Sequence, residues 1–496
     1  MNKADERNLA VLSVLSDQNF NVFQARRAFQ DMESWALCSE ALRLPEHEVE
    51  LELEKRSREI ARLLLQAHIN ERGFGEVGEV LEVHTGQSGH YHKRSSRLDP
   101  KRVISIFGEV VVLRKPYVAE GCESIHPLDE ELELPKRSFS WEMQRRIVEE
   151  AVRGPFEEAI ESIERSTGNL VSKRTAEQVT VDAAKDFSDF YAQRSGPSSE
   201  VVGPILVAAI DCKGVPMVKG EGLEHTPRRN KGEKVNKKRM ATVAAVYTQR
   251  KRIRTAEEVI ESLFEHKGGG GVQKSKPERK RVWASLEKSK EEVIEEVAEE
   301  MKARDREGKK RWVALTDGER ALQLRVLRLL PRATLVLDFF HVLEKLWKAA
   351  YAFYEEGSKE AAEWVRKRAI MILEGKVSQV VKGMRQSATK RRFRGRRLKV
   401  VKEVSSYLYK NRQYMRYNEY LEQGFPIASG VVEGACKNLI KDRMERSGMR
   451  WQLRGAEAML KLRAIKLSGD MEEYWKYHIE QDHRRLYGKR RWRIAA

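Results

Sequence analysis

Apolar residues recur at helical spacing in the first part of the chain. Across Glu48–Gln66, residues such as Leu53 and Ile60 are separated by charged residues, which is the pattern of an amphipathic helix. Gly73 begins a glycine-rich stretch that ends this pattern. We therefore expect residues 1–100 to form a helical N-terminal region.

A different pattern follows in residues 101–200. Short apolar runs lie on either side of Gly108, and they predict a hairpin of two strands within residues 103–118. Residues 140–193 then return to helical spacing. We expect this region to combine the hairpin with a group of helices.

Two of these helices have the layout of a DNA-binding motif. Phe156–Glu164 is amphipathic, a Thr-Gly-Asn turn follows it, and Ser172 is suited to cap a second helix. That second helix begins with Lys173 and Arg174, so it would present basic residues as the second helix of a helix-turn-helix does. An ordinary helical hairpin fits the same pattern.

From residue 203 the hydrophobic pattern changes to short continuous runs. Such runs, bounded by polar residues, are typical of strands that are buried on both faces. They are Ile205–Ile210, Ala241–Thr248, Trp312–Leu315 and Thr334–Leu337. Charged residues at helical spacing across Val282–Lys302, and a helical pattern from Glu319 to Leu330, predict helices between them. Alternating strands and helices predict an α/β sheet with parallel members over residues 201–342.

The remaining residues divide into three sections. Residues 343–425 are mostly helical in pattern and strongly basic, which indicates a helical insertion. A helix that starts after Pro426 is expected to return to the sheet within residues 426–470. Residues 471–496 are expected to form a basic tail.

Charge points to a polyanionic partner. The 496-residue chain has a formal net charge of +19, and basic residues cluster in Arg228–Lys238, Lys390–Lys399 and Arg484–Arg493. Cations gathered in this way favour nucleic acid, because each neutralised phosphate releases counterions, although a solvated surface is the alternative for any single run. No apolar stretch has the length of a membrane span and no secretory signal is visible, so we expect a cytoplasmic protein without a membrane partner.

Cysteine and histidine offer little to a structural metal site. The four cysteines are scattered without a Cys-x-x-Cys pair, which argues against a zinc ribbon and against a disulfide framework. His84, His90 and His92 lie close together. Without cysteine partners, we interpret them as part of a polar loop.

Acidic residues follow three of the apolar runs. Asp211, Asp317 and Asp338 come directly after predicted strands, and the carboxyl ends of parallel strands are where sites form in open α/β sheets. Hard cations such as Mg²⁺ take carboxylate ligands. An Asp before Gly, as in Asp317-Gly318, is also common in simple turns, so the three acids carry weight only as a set.

A fourth acid lies on the later helix. Glu433 falls in the first turn of the helix expected after Pro426, where the helix dipole favours a carboxylate. Small residues follow it, and Lys437 lies one turn further on. Glu433 is therefore either a site residue beside a phosphate-binding surface or half of a simple Glu–Lys pair on a helix surface.

Several blocks of sequence together resemble one family. They are Ala209-Ile210-Asp211 with Gly214-Val215-Pro216, Leu315-Thr316-Asp317-Gly318, Leu337-Asp338-Phe339-Phe340-His341-Val342, Ser429-Gly430-x-x-Glu433, and Arg443-Met444-x-x-x-Gly448-Met449-Arg450-Trp451. The chain is similar in these blocks to bacterial insertion-sequence transposases of the ISKra group. The similarity runs from about residue 100 to 465, and the Asp-Phe-Phe-His and Gly-Met-Arg-Trp blocks are the most specific.

The resemblance implies a fold and a site. It implies an RNase H-like mixed sheet, interrupted by a helical insertion as in Mutator-like transposases, after an N-terminal DNA-binding region. It implies an Asp-Asp-Glu triad of Asp211, Asp317 and Glu433 that binds two Mg²⁺ or Mn²⁺ ions, with Asp338 and His341 as an accessory block. Asp338 remains an alternative for the second acid, because it also ends a predicted strand.

The resemblance also implies partners. These are double-stranded DNA, as terminal inverted repeats and as target DNA, and further copies of the chain in a dimer or larger synaptic complex on the bacterial nucleoid. Candidate DNA contacts near the triad are Lys437, Arg443, Arg450 and Trp451. One departure concerns the block Pro127-Leu128-Asp129, which also resembles the family. Relatives carry paired cysteines before it, where this chain has Cys122 alone, and this puts an N-terminal zinc site in doubt.

Two other classes of protein remain open. One is a catalytically inactive DNA-binding regulator on a nuclease-like fold, and the other is a protein that packages DNA or RNA with its basic helices. Both would be indifferent to Mg²⁺, whereas the enzyme depends on it.

Overall fold

The computed structural model describes residues 18–85, 88–194, 203–218, 238–264, 276–488 and 491–495. Most of the basic run Arg228–Lys238, and Lys489 and Arg490 of the last run, lie outside these residues. The chain divides into two compact units. The first contains the chain up to Asp186 together with the residues from Glu472 onward, and the second runs from Phe187 to Met471.

The protein is mixed α/β, and helices predominate. The α-helices of the described residues are α1 (Gln18–Ala36), α2 (Glu46–Glu71), α3 (Pro127–Glu131), α4 (Trp141–Arg153), α5 (Phe156–Thr167), α6 (Lys173–Ala183), α7 (Phe187–Gln193), α8 (Ala256–Phe264), α9 (Lys290–Arg304), α10 (Arg320–Leu329), α11 (Phe339–Phe353), α12 (Lys359–Leu373), α13 (Val377–Lys390), α14 (Gly395–Asn411), α15 (Tyr417–Glu422), α16 (Gly430–Ala435), α17 (Asp442–Met444), α18 (Leu453–Ser468) and α19 (Met471–Leu486). The strands are β1 (Val80–Thr85), β2 (Ser88–Arg94), β3 (Asp99–Ser105), β4 (Gly108–Arg114), β5 (Tyr117–Val118), β6 (Ile205–Pro216), β7 (Lys238–Gln249), β8 (Glu278–Ser285), β9 (Arg311–Thr316), β10 (Thr334–Leu337) and β11 (Arg491–Ile494). None of the helices in the described residues is both long and apolar enough to cross a lipid bilayer.

The first unit begins with helices but contains more strand than its sequence pattern predicted. The helical N-terminal region ends with α2, and β1 and β2 occupy much of residues 80–100. Leu81 and Val83 are buried, and the residues that alternate with them are more exposed, which is the period of a half-buried strand. The expected polar loop around His84, His90 and His92 is therefore wrong, because these histidines lie on the paired strands β1 and β2.

The end of the chain is built into the same unit. The expected basic tail over residues 471–496 instead forms α19 and β11, and β11 pairs antiparallel with β1 through Val83 and Trp492. The positive charge of these residues suggested an exposed tail, but α19 also carries aromatic residues that are buried, including Tyr474 and Trp475. The resulting sheet has the order β11-β1-β2-β5, and β3 and β4 form a separate hairpin as predicted.

The predicted pair of helices with a short turn is present. Helix α5 ends at Gly168, whose φ of 71° is left-handed, and the Ser172 hydroxyl accepts a hydrogen bond from the backbone N–H of Thr175 at the start of α6. Both helices pack on α4. Lys173 and Arg174 are exposed at the first turn of α6, where Lys173 forms an ion pair with Glu157.

The second unit is built on a five-stranded mixed sheet with the order β10-β9-β6-β7-β8. The strands β6, β9 and β10 are parallel, and β7 is antiparallel to both of its neighbours. The central strand is inaccessible to solvent from Ile205 to Ala209. The helical pattern expected across Val282–Lys302 is wrong in its first part, because β8 runs to Ser285 and α9 starts only at Lys290, where Ser289 and Glu292 form a capping box.

The insertion is helical throughout its length. Helices α11 to α15 cover most of residues 339–422, and α11 packs against both α12 and α14. The Tyr417 hydroxyl of α15 donates a 2.7 Å hydrogen bond to the carbonyl of Leu337, at the end of β10. The insertion thus returns to the sheet edge from which it departs.

Candidate active site

Three aspartates lie at one level of the sheet. In the parallel ladders, Ile210 is opposite Thr316 and Thr316 is opposite Leu337, so Asp211, Asp317 and Asp338 each follow a residue of the same row. Adjacent strands are about 4.8 Å apart. Their carboxylates are therefore brought to one edge of the parallel part of the sheet.

Asp211 differs in one respect from its predicted placement. It was expected to end its strand, but β6 continues to Pro216 because β7 pairs with it over its whole length. The pairing with β9, by contrast, stops at Ile210. Asp211 is thus the first residue of β6 that no longer has a parallel neighbour, and this opens a space beside it.

Two hydrogen bonds orient the Asp211 carboxylate. Oδ1 accepts from the backbone N–H of Cys212 at 2.7 Å, and Oδ2 accepts from the thiol of Cys436 at 3.3 Å. Burial raises the pKa of the Cys436 thiol, so this group remains protonated and donates.

Asp317 lies in a turn that depends on its glycine neighbour. Its Oδ1 accepts a 2.9 Å hydrogen bond from the backbone N–H of Glu319, and its carbonyl accepts one of 2.7 Å from the Tyr407 hydroxyl. Gly318 has a φ of 90°, and a Cβ placed there would lie 2.7 Å from that hydroxyl. Glycine is therefore required both by the backbone conformation and by the closeness of α14.

Asp338 is more deeply buried and more fully bonded. It is 2% exposed. Its Oδ1 accepts from the N–H of Phe340 at 2.8 Å, where it caps α11, and its Oδ2 accepts from the N–H of Ser429 at 2.8 Å. Both oxygens are thus engaged by backbone, which is the arrangement of a group that holds other segments in place.

Glu433 is brought to the sheet by a short helix. The Ser429 hydroxyl caps α16 by accepting from the N–H of Val432, and α16 packs across β6 and β7. A π-helical turn, Cys436–Lys441, follows directly, and such turns are frequent at functional sites. Glu433 is half-buried, and its carboxylate lies within 4.8 Å of ligand atoms of Asp338 and His341.

His341 completes the group. Its Nδ1 lies 3.9 Å from Oδ1 of Asp338, which is an ionic contact beyond hydrogen-bond distance. This buried nitrogen has no hydrogen-bond partner among the described residues. Asp338, His341 and Glu433 each offer a ligand atom within 4.8 Å of the others.

The electrostatics of the site are those of crowded carboxylates. Burial, followed by the charges of Asp338, Glu344 and Asp211, raises the pKa of Glu433 to about 7. Burial and the Asp211 charge raise the pKa of Asp317. The neighbouring carboxylate of Asp338, with those of Asp211 and Asp317, raises the pKa of His341 to about 9. The site thus draws positive charge towards itself.

The donor set fits a hard divalent cation. Carboxylate oxygens are ligands for Mg²⁺ or Mn²⁺. Nδ1 of His341, which has no hydrogen-bond partner among the described residues, would join them once the imidazolium loses its proton. A cation would also relieve the repulsion that raises the carboxyl pKa values. Of the four acids predicted for the site, Asp211, Asp317 and Glu433 are only partly buried, whereas Asp338 is buried.

The predicted DNA contacts near the site divide into two groups. Lys437 and Arg450 are exposed. Arg443 is fully buried and Trp451 is 7% exposed, with the guanidinium 4.9 Å from the indole ring. The prediction that Arg443 and Trp451 contact DNA is therefore corrected: a buried side chain cannot reach a phosphate.

Trp451 instead joins two segments of the second unit. The backbone N–H of Trp451 donates to the carbonyl of Pro216, and Val218 donates back to Trp451, which ties this segment to the end of β6. The indole N–H of Trp451 donates to the carbonyl of Met444. The basic residues of this segment suggested a DNA-binding surface, but Arg443 and Trp451 are buried.

Two site residues escaped the sequence analysis. Cys436 lies one turn after Glu433, a spacing that places both on one helix face, but its contact with Asp211 joins residues far apart in the chain. Tyr407 belongs to the insertion and carries no sequence signal for its bond to Asp317. No protein-family model matches this chain, and neither does any curated protein.

Proposed function

We propose that this protein is a DNA transposase that cleaves and joins strands through Asp211, Asp317 and Glu433. The observation that carries the proposal is the row of three aspartates at the end of the parallel ladders, joined by a glutamate on a later helix in a chain of net charge +19. Acids in this arrangement suit metal-dependent phosphoryl transfer. The sequence blocks that resemble ISKra-group transposases lie around the same residues.

The sheet supports an RNase H-like core. Five strands in the order β10-β9-β6-β7-β8, with only β7 antiparallel, place the first two acids on the adjacent strands β6 and β9. The helical insertion then separates β10 from the helix of Glu433. We take residues 203–342 and 426–470 as the catalytic core on this basis.

Asp317 is a better second acid than Asp338. Both oxygens of Asp338 accept backbone hydrogen bonds, so metal binding there would compete with the bonds that hold α11 and Ser429. Asp317 has one such bond, at Oδ1. We therefore assign metal binding to Asp211, Asp317 and Glu433, with His341 as a further nitrogen ligand or phosphate contact and Asp338 as the residue that positions it.

The chemistry that two Mg²⁺ or Mn²⁺ ions supply when bound is activation of the attacking oxygen and stabilisation of the leaving oxygen in an in-line displacement. The chain's own residues do the rest. Asp211 is held in orientation by Cys212 and Cys436, and Asp317 by the turn at Gly318. Lys437 and Arg450 are exposed near the helix of Glu433 and are suited to contact phosphates.

The proposed partners are DNA and further copies of the chain. Terminal inverted repeats and target DNA are the substrates of this chemistry, and cleavage at two ends calls for a dimer or a larger synaptic complex. Lys173 and Arg174 at the start of α6 are proposed to contact the terminal repeats. A bacterial cytoplasmic location on the nucleoid follows from the proposed substrate.

The test is incubation with duplexes that carry the sequences flanking the protein's own gene, with and without Mg²⁺. Metal-dependent nicks at the element ends, and their loss in Asp317→Asn, are expected. DNA binding without any metal-dependent nick would instead favour the inactive regulator.

A further inference from the structure

A dense group of cations lies around the turn between two helices of the insertion, α13 and α14. The end of α13, the connection and the first turns of α14 together contain seven basic residues within ten positions, and all of them are exposed. We call them the 390–399 patch; its members are Lys390, Arg391, Arg392, Arg394, Arg396, Arg397 and Lys399.

The patch is unneutralised within the part of the chain that the structure describes. Exposed cations elsewhere often have a carboxylate partner, such as Lys309 with Glu307 and Lys476 with Glu472. None of the seven members lies within 4.0 Å of a carboxylate of the described residues. Holding seven like charges together without counter-charge is unfavourable, which makes an external polyanion the natural complement.

A sharp turn and a few contacts restrain two of these cations, Arg391 and Arg397. Arg392 has a φ of 51° and Gly395 one of 55°, so the chain turns sharply between the two helices. Arg391 donates to the carbonyl of Phe353 at 3.0 Å and to the Tyr354 hydroxyl at 3.3 Å. The guanidinium of Arg397 lies 5.9 Å from the ring of Phe393. Side chains held in this way lose less entropy when they bind.

The patch has the chemistry of a phosphate-backbone surface. Its exposed polar side chains are all cationic donors, without the amide groups that commonly recognise adenine. The start of α14 adds to the positive potential, since Arg394 provides no side-chain cap to its first turn. Contacts to phosphates position a protein on DNA but carry no sequence information.

We propose that the 390–399 patch binds the backbone of duplex target DNA without regard to sequence. This inference rests on the proposed function and adds to it a surface for the second substrate, apart from the residues proposed for the terminal repeats. It lies in the insertion, whose helices α11 and α14 also border the acids at Asp338 and Asp317.

The experiment compares two triple variants of the full chain in EDTA. Arg394→Ala/Arg396→Ala/Arg397→Ala removes three cations of the patch. Lys55→Ala/Lys309→Ala/Lys476→Ala removes the same charge from side chains that are 79%, 78% and 76% exposed and paired with glutamates. Fluorescence anisotropy with a random-sequence 30-bp duplex is recorded from about 50 to 200 mM salt. Thermal unfolding checks that each variant folds.

The patch variant is expected to bind the random duplex at least about tenfold more weakly than wild type, and the slope of log K against log salt should fall by roughly 2 to 3. The control variant should bind like wild type. Equal losses in the two variants, or wild-type binding by the patch variant, would overturn the proposal, as would preferential loss of binding to the element's own ends. If wild type binds an acidic peptide or RNA but does not bind the random duplex, the assignment of duplex DNA as the partner is also wrong.

The binding assay is independent of catalysis. One outcome is that the patch variant loses duplex binding while the wild-type protein never nicks the element ends with Mg²⁺. This outcome would support DNA binding by the 390–399 patch and contradict the proposed transposase function. Normal nicking together with unchanged duplex binding by the patch variant would refute the patch alone.

Discussion

The backbone N–H of Ser429 donates a 2.8 Å hydrogen bond to Oδ2 of Asp338, across 91 residues of chain. The two residues bracket the helical insertion, since Asp338 begins α11 and Ser429 caps α16. This bond joins the start of the helix of Glu433 directly to the residue that follows β10, without passing through the insertion. It explains how a site can be assembled from segments so far apart in sequence.

Asp338→Asn is expected to destabilise the protein, whereas Asp317→Asn is not. Asparagine offers a single acceptor oxygen, so the N–H of either Phe340 or Ser429 loses its partner in a buried place, at a cost of roughly 1–3 kcal/mol. Asp317→Asn removes a carboxyl whose pKa is raised by burial, so the folded state keeps its stability while cleavage is lost. Urea unfolding and a nicking assay measure the two effects. An Asp338→Asn protein as stable as wild type but deficient in metal binding would make Asp338 the ligand.

Mg²⁺ binding should compete with a proton on Glu433. In the metal-free protein the pKa of this carboxyl is about 7, against an ordinary value of 4.5. The folded state therefore holds the proton more tightly than the unfolded state, and the stability of the metal-free protein should fall as pH rises between these two values. Mg²⁺ affinity should rise over the same window, because the cation needs the ionised carboxylate.

Calorimetry in two buffers of different ionisation enthalpy measures that proton release. Near pH 6.5, wild type should release part of a proton from Glu433, and a further proton from His341 where this imidazole binds the cation. Glu433→Gln should release less. Mg²⁺ affinity that stays constant from about pH 5.5 to 8 would contradict a Glu433 ligand.

Cys436 should orient the carboxylate of Asp211 for metal binding without itself binding the metal or reacting. Cys436→Ala removes the donor to Asp211 Oδ2, so the carboxylate loses a fixed orientation and Mn²⁺ should bind several-fold more weakly, on the order of 1 kcal/mol. Cys436→Ser restores a hydroxyl donor and should recover most of that affinity. Electron paramagnetic resonance of free Mn²⁺ gives both constants. If alanine and serine behave alike, the thiol contributes only packing.

Arg443 and Arg450 should behave oppositely although both are basic and close in sequence. Arg443→Ala leaves a cavity against Trp451 and Met449 in a place closed to solvent, and a loss of about 2–4 kcal/mol of unfolding free energy is expected. Arg450→Ala, at an exposed position, should leave stability unchanged and weaken DNA binding. Chemical denaturation and anisotropy titrations compare the two. A stable Arg443→Ala protein with weakened DNA binding would restore Arg443 as a contact.

The sequence pattern predicted the parts of the fold that are encoded locally. Continuous apolar runs marked β6, β7, β9 and β10, and the cap at Ser172 marked the start of α6. The strand β8 was missed because its first four residues are charged and its short apolar run, Val282–Ala284, lies only a few residues before α9. The pairing of β11 with β1 joins residues far apart in the chain, and the sequence pattern of residues 471–496 did not predict it.

The site was predictable to the extent that its residues sit in local motifs. Asp211, Asp317, Asp338 and Glu433 follow from strand ends and a helix start. Their ranking does not, because the distinction between Asp317 and Asp338 depends on the hydrogen bond from Ser429, which is a tertiary contact. The burial of Arg443 is likewise a tertiary feature, since its guanidinium lies against the ring of Trp451, whose backbone N–H donates to Pro216.

The central claim is tested most directly by one cleavage measurement. Wild type, Asp317→Asn and the buried-network control Asp338→Asn are incubated with duplexes that carry the gene's own flanking sequences, with Mg²⁺ or with EDTA. We predict nicks at the element ends from wild type with Mg²⁺ alone, reduced cleavage from a less stable Asp338→Asn, and no cleavage from a fully folded Asp317→Asn. Cleavage by Asp317→Asn, or nicking by wild type in EDTA, would contradict the proposed metal-dependent triad.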